Sequence, residues 1–222
     1  AVGSPSTMDP HRLLGPGYPV TLLLEGRSCL VVGGGPVAER KAAGLVAVDA
    51  LVTVVAPSVT EALAAMALEV HRRPFEATDV TGRRLVVSAT GRPEVERAVR
   101  DAAEAAGVLV NAADDPDACS VLLPAVVRRG PVTVAVSTTG RSPALASVVR
   151  DLVADVVGPE VADVADALAA VRSRLHADHR STEGLPFGDL ARQLLSAAVG
   201  GARRDALDRQ VADWLAGLPL PS

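Results

Sequence analysis

Between residues 18 and 117, short continuous apolar runs alternate with stretches whose apolar positions recur at helical spacing. The runs LLLEGRSCLVVGGG, LVTVVAP, RRLVVSATG and GVLVNAADDP read as buried strands, with a shorter one over Glu69–Arg72. Val37–Ala47, Ser58–Ala67 and the Pro93-led stretch to Ala106 read as the intervening helices. Strands alternating with such helices predict a parallel sheet with right-handed crossovers.

The rhythm changes after the Asp114–Asp117 turn. SVLLPAVVRRGPVTVAVSTTG holds two β-rich pieces around Arg129-Gly130-Pro131 with no room for a crossover helix, so a hairpin is the economical reading. Ser142 then stands as an N-cap before Pro143, opening a helix that runs through Val156 to the Gly158-Pro159 stop. From Glu160 to Leu218 the pattern is helical, broken by a polar loop around His176–Gly188 and by Gly200-Gly201. Val161, Val164, Leu168, Val171 and Leu175 form an apolar stripe that must be covered by this chain or by a second subunit. The expected division is a flexible tail over 1–17, an α/β domain over 18–117, a small β-containing segment over 118–149 and a helical domain over 150–222.

Composition narrows the chemistry. Apolar residues make up 49% of the 222 and aromatics only 2%, so the core is Val, Leu and Ala, and stacking on rings is a poor basis for ligand binding. A net charge of −4 argues against nucleic acid, which needs surplus Lys and Arg. No apolar run is long enough for a membrane span and no leader pattern opens the chain, so a cytoplasmic location is expected. Cys29 and Cys119 fit a reducing compartment, read as small buried apolar residues, and share no metal-ligand spacing with the four histidines. No metal site is therefore expected. His71, His176 and His179 are read as surface residues, and Asp155, Asp163 and Asp166 as a solvated helix face.

Gly33, Gly35 and Ala38 satisfy G-x-G-x-x-G/A directly after a strand and before a helix, the context of a Rossmann-type dinucleotide-binding domain. Absent Cβ atoms let the backbone approach a pyrophosphate, and the helix N-terminus meets its charge. The alternative is a tight turn with no ligand. The second strand ends in Val55-Ala56-Pro57-Ser58, without the carboxylate that usually holds a ribose 2′-hydroxyl, so charge does not choose between NAD and NADP.

GGGPVAERK, VTVVAPS, NAADDPDACSVLLPA and VAVSTTGRSPALA occur in that order, and together they resemble the precorrin-2 dehydrogenase and sirohydrochlorin ferrochelatase family of siroheme biosynthesis over about residues 18–175. The resemblance implies NAD-dependent oxidation of precorrin-2 to sirohydrochlorin, joined in some members by insertion of ferrous iron. It places nucleotide contacts at Pro36, Val37, Pro57 and Ser58; with Gly33, Gly35, Ala38 and Thr90 these make the candidate cofactor set. It points to Asp114 as the catalytic carboxylate, although the residues alone also fit a solvated Asp-Pro turn, the reading kept for Asp115 and Asp117. Thr138, Gly140, Arg141 and Ser142 become the candidate substrate turn, with Arg141 the cation best placed for tetrapyrrole carboxylates. Arg128 and Arg129 read equally well as an exposed hairpin edge, and Arg40 and Lys41 as outer helix surface.

The resemblance further implies a homodimer whose contacts lie after residue 118. It also implies a stand-alone enzyme, because 222 residues leave no space for the methyltransferase domain of longer members. Two departures stand out: Thr139 occupies a position where glycine is common, and Val121 one where phenylalanine is. The competing functions are a nucleotide-sensing module without catalysis and a chelatase with a vestigial nucleotide site.

Overall fold

The computed structural model describes residues 17–112 and 119–218. Of the expected tail only Gly17 falls within them. Five parallel strands, β1 (Ser28–Val32), β2 (Leu51–Val55), β3 (Glu69–His71), β4 (Leu85–Ser88) and β5 (Leu109–Ala112), form one sheet in the order β3-β2-β1-β4-β5. Their continuous apolar runs are explained by burial on both faces. Cys29, Val31, Val52, Val54, Leu85 and Val87 pack on one side with Ala38, Ala42 and Leu45 of α1 (Pro36–Val46) and Leu63 of α2 (Glu61–Met66). Leu30, Val32, Val55, Val86 and Val110 pack on the other with Val99 and Ala103 of α3 (Pro93–Ala105).

The register pairs Val32 with both Val55 and Ser88, and Ser88 with Ala112, so the loops after these strands leave the sheet along one edge. The chain winds from β1 to β2 on one side and reaches β4 on the other. The crevice at the end of β1 is thus the topological switch point where open α/β sheets bind ligands.

Two local expectations are corrected. The strand-like run beginning at Leu22 becomes β1 only at Ser28, because Gly26 (φ 64) and an Arg27 N–H bond to the Leu24 carbonyl turn the chain first. A short 3-10 turn over Ala77–Val80, absent from the sequence reading, is closed by a reciprocal cap between Glu76 and Asp79.

The described residues up to Leu123, with Ser137–Ser142, form one compact unit; Pro124–Val136 and those from Pro143 onward form a second. In the second, β6 (Ala125–Arg129) and β7 (Val132–Val136) pair as the expected antiparallel hairpin. It packs with α4 (Pro143–Val156). Arg129 is not a free edge residue: its Nε and Nη2 donate to the Val157 and Ala154 carbonyls at 3.0 and 3.1 Å, closing the end of α4. Arg128 is exposed.

The predicted stripe lies on α5 (Glu160–Ala177), whose Val164, Val171 and Leu175 are buried with Leu190 and Leu194 of α6 (Phe187–Val199) and Leu207 and Val211 of α7 (Arg204–Ala216). This chain therefore covers its own stripe. His176 belongs to the last turn of α5 rather than to the loop. A different apolar row, Leu145, Val148, Leu152 and Val156 on α4, stays exposed, Leu152 at 62%.

Candidate functional site

The three consecutive glycines are held by different neighbours. Gly33 (φ 126) donates to the Val55 carbonyl at 3.0 Å, and a Cβ there would overlap the Ala89 carbonyl oxygen. At Gly34 a Cβ would overlap the carbonyl oxygen of Ser58. Gly34's own carbonyl accepts from the Thr60 N–H at 3.0 Å, while the Thr60 hydroxyl caps α2 through the Leu63 N–H (3.2 Å) and donates to Glu39 at 2.7 Å. Gly35 meets nothing within 4 Å of its would-be Cβ. Two glycines thus let the loops after β2 and β4 close onto the turn, and the third leaves its solvent side open.

That side is the N-terminus of α1. Gly35 is the N-cap and Pro36 occupies the first helical position, where its missing N–H costs no bond. The first intrahelical donor is Glu39 N–H, to Gly35 at 3.0 Å, so the amides of Gly35, Val37 and Ala38 precede the helical ladder. With the helix dipole they suit an anionic phosphate. Buried Ala38 lets the helix lie close against the sheet.

Around this turn is a cavity of about 520 Å3, within the range of cofactor pockets. Gly33, Gly35, Pro36, Val37, Pro57, Ser58 and Thr90 of the candidate cofactor set all line it; Ala38 does not. The lining also includes Gly34, Pro74, Phe75, Gly91, Arg92 and Val95, which sequence reasoning missed. Phe75, one of only two phenylalanines, supplies the aromatic wall that composition made unexpected.

Two arginines near this lining are engaged, while Arg72, directly after β3, is exposed. Arg73, beside Pro74, forks onto Asp79 at 2.6 and 2.9 Å, and its guanidinium holds the Asp79 carboxyl below the usual carboxylate range. Arg92 pairs with Glu94 at 2.8 Å; Glu94's own backbone N–H and then Arg92 lower that carboxyl. A residues-to-ligand fit for a dinucleotide follows from the open cradle at Gly35, the row of helix amides and the cavity beside them.

Asp114, Asp115 and Asp117 lie outside the described residues. Their flanks are tied together: Cys119 Sγ accepts from the Ala112 N–H and donates to the Ala112 carbonyl, each at 3.2 Å, and Ser120 Oγ accepts from Val110 N–H at 2.8 Å. Cys119 is therefore half-buried and polar in its role, unlike Cys29, whose thiol burial pushes up in pKa. Asn111 donates to the Val121 carbonyl at 3.0 Å, and its buried Oδ1 has no partner among the described residues. Val121 packs against the adjoining core.

The candidate substrate residues form a separate turn that does not line the cavity. Arg141 N–H bonds to the Thr138 carbonyl at 3.1 Å across Thr139 (φ 51) and Gly140 (φ 78), two left-handed residues in succession. Thr138 Oγ1 accepts from the Ser142 N–H and lies 3.0 Å from the Ser142 carbonyl. Thr139 thus takes the conformation glycine would, and the turn keeps its shape. Arg141 is exposed. Among the described residues no His, Cys, Asp or Glu cluster could hold a metal ion, and no helix is long and apolar enough to cross a membrane.

Comparison with known proteins bears on this geometry. Residues 20–125 match a family described as Putative NAD(P)-binding, and residues 129–155 one described as Sirohaem biosynthesis protein central. The siroheme synthase of Methylococcus capsulatus is 36% identical over 211 residues, covering 84% of this chain and 44% of that protein. Siroheme synthase 1 of Aeromonas salmonicida is 37% identical over 206 residues, covering 89% and 43%. The chain spans less than half the length of these relatives. A solved structure titled SirC, precorrin-2 dehydrogenase, has a TM-score of 0.68 at 25% identity, covering 89% of this chain and all of that one.

Proposed function

We propose that this chain, which belongs to the family of siroheme-biosynthesis proteins and joins their NAD(P)-binding segment to their central one, oxidises precorrin-2 to sirohydrochlorin with NAD as the hydride acceptor. The observation that carries this reading is the open Gly35 cradle at the switch point of the parallel sheet, inside a chain whose solved neighbour is a precorrin-2 dehydrogenase.

The bound dinucleotide supplies the redox chemistry by accepting a hydride. The protein's task is to hold the phosphates, orient the ring system and accept a proton. The Gly35, Val37 and Ala38 amides would hold the dinucleotide's pyrophosphate, with Pro57, Ser58 and Thr90 in the cavity lining beside them. Arg73 is committed to Asp79, but Arg72 stays exposed directly after His71, which pairs with Val55 at the end of β2, so the assay is run with NADP alongside NAD. Asp114, two positions beyond β5 in the sequence, is assigned the role of accepting the proton released as the macrocycle is oxidised. The Thr138–Ser142 turn and Arg141 meet the substrate carboxylates. Ferrous iron is the second substrate if the chain also makes siroheme.

The domain roles follow: the sheet unit binds nucleotide, and the hairpin with α4 makes a homodimer by covering the exposed α4 row. A cytoplasmic setting suits two cysteines that are not joined in a disulfide.

The test is an anaerobic assay with freshly generated precorrin-2 and NAD, following reduced nicotinamide and the sirohydrochlorin spectrum, then ferrous iron. Stoichiometric NADH is expected, with Asp114→Asn slower by about a hundredfold or more at unchanged NAD affinity. No NADH above the protein-free control would overturn the dehydrogenase, and metal uptake alone would leave a chelatase.

A further inference from the structure

Glu96 sits in the first turn of α3, 4% exposed, and is the one fully buried carboxylate among the described residues. No cation stands within ion-pair distance of it among those residues. Its Oε1 instead faces the Thr90 N–H at 3.3 Å and the Thr90 hydroxyl at 3.4 Å. That hydroxyl in turn accepts from the Arg92 N–H at 3.2 Å. The Thr90 hydroxyl proton has the Arg92 carbonyl, also at 3.4 Å, as a second acceptor, so Glu96 anchors the bend chiefly through the Thr90 N–H, and every residue from Thr90 to Arg92 lines the nucleotide cavity.

The constraint reaches the glycine turn. The N–H that Glu96 holds belongs to the Ala89–Thr90 peptide, whose carbonyl oxygen occupies the space a Gly33 Cβ would need. Fixing that N–H fixes the peptide plane, and with it the spacing between the β4–α3 loop and the phosphate turn. A charged group buried without a cation is costly, and the amides at the start of α3 offset part of that cost. A helix-terminus charge alone, however, has no need of an oxygen placed on Thr90.

We propose that Glu96 is a positioning residue for the dinucleotide: acting through Thr90, it sets the cavity wall that adjoins the glycine turn. The proposal rests on the nucleotide-binding reading above. Its requirement is an acceptor oxygen at the right reach, not a negative charge. Glu96→Asp keeps the charge at the helix terminus and shortens the reach by one methylene; Glu96→Gln keeps the reach and removes the charge.

Binding of NAD is measured by calorimetry for the wild type and both variants, with thermal melting as a check on folding and steady-state kinetics on precorrin-2. Glu96→Asp is expected to raise the Kd and the KM for NAD about fivefold with kcat unchanged, and Glu96→Gln to stay within about twofold of wild type. The reverse order, equal Kd in all three, or an effect confined to kcat would overturn the proposal. A wild-type protein that binds no NAD would sink the nucleotide reading itself, an outcome told apart because no variant enters into it.

Discussion

Adding one methyl group to Gly34 and adding it to Gly35 are the same chemical change in opposite surroundings. At Gly34 the methyl runs into the Ser58 backbone carbonyl, and neither loop can yield without breaking the Thr60 bond to Gly34. Gly34→Ala should cost about 2–3 kcal/mol in a denaturant melt. At Gly35 the backbone is extended (φ −90°) and the space is empty, so Gly35→Ala should leave stability within about 0.5 kcal/mol. Its methyl stands where a phosphate would approach, and NAD affinity should fall about tenfold by calorimetry. Thr139 presents a third case. A left-handed β-branched residue costs roughly 1–2 kcal/mol, against roughly 0.5–1 for the extra freedom glycine loses on folding. Thr139→Gly should therefore raise the thermal midpoint slightly, by about 1–2 °C; a lowered midpoint would mean the threonine side chain holds the turn.

The pattern of the chain reveals elements where burial is periodic. The β1 run SCLVV and α3, with Val99 and Ala103 on one side, could be read because each satisfies a single repeating environment. The Ala77–Val80 turn could not, since four residues carry no period and its closure depends on Glu76 and Asp79. For the same reason the glycine pattern hid Gly34: its requirement comes from Ser58, on a loop far along the chain, whereas the motif specifies only Gly33 and Gly35. Pro74, Phe75 and Arg92 reach the cavity from loops without any repeat.

The 3-10 turn also titrates. Asp79 accepts from Arg73 and from the Glu76 N–H, and its folded pKa is depressed. The stabilisation is complete above the unfolded carboxylate value near 3.9, and it is lost as the pH falls through the lower folded one. Asp79→Asn should melt about 1–2 kcal/mol less stable at pH 7, and the gap should close below about pH 4. A gap unchanged in acid would assign the effect to packing rather than to charge.

At the scale of the molecule, the sheet unit and the helical unit each enclose an apolar interior, so the uncovered row on α4 is surplus to both. Leu152, Val148 and Val156 repeat at the spacing of a helix that packs on another. Leu152→Glu, at a site already exposed, should leave the fold intact and convert a dimer to a monomer by light scattering. A wild-type monomer at micromolar concentration would remove the proposed dimer.

The chain passes from the first unit to the second after Leu123, returns for Ser137–Ser142 and leaves again at Pro143. Three crossings in so short a stretch mean that no single cut yields two whole units: severing the chain after residue 123 strips the sheet unit of its Thr138–Ser142 turn, and severing it after residue 142 takes the hairpin from the helices. A chimaera that replaces either unit must therefore be spliced at every crossing.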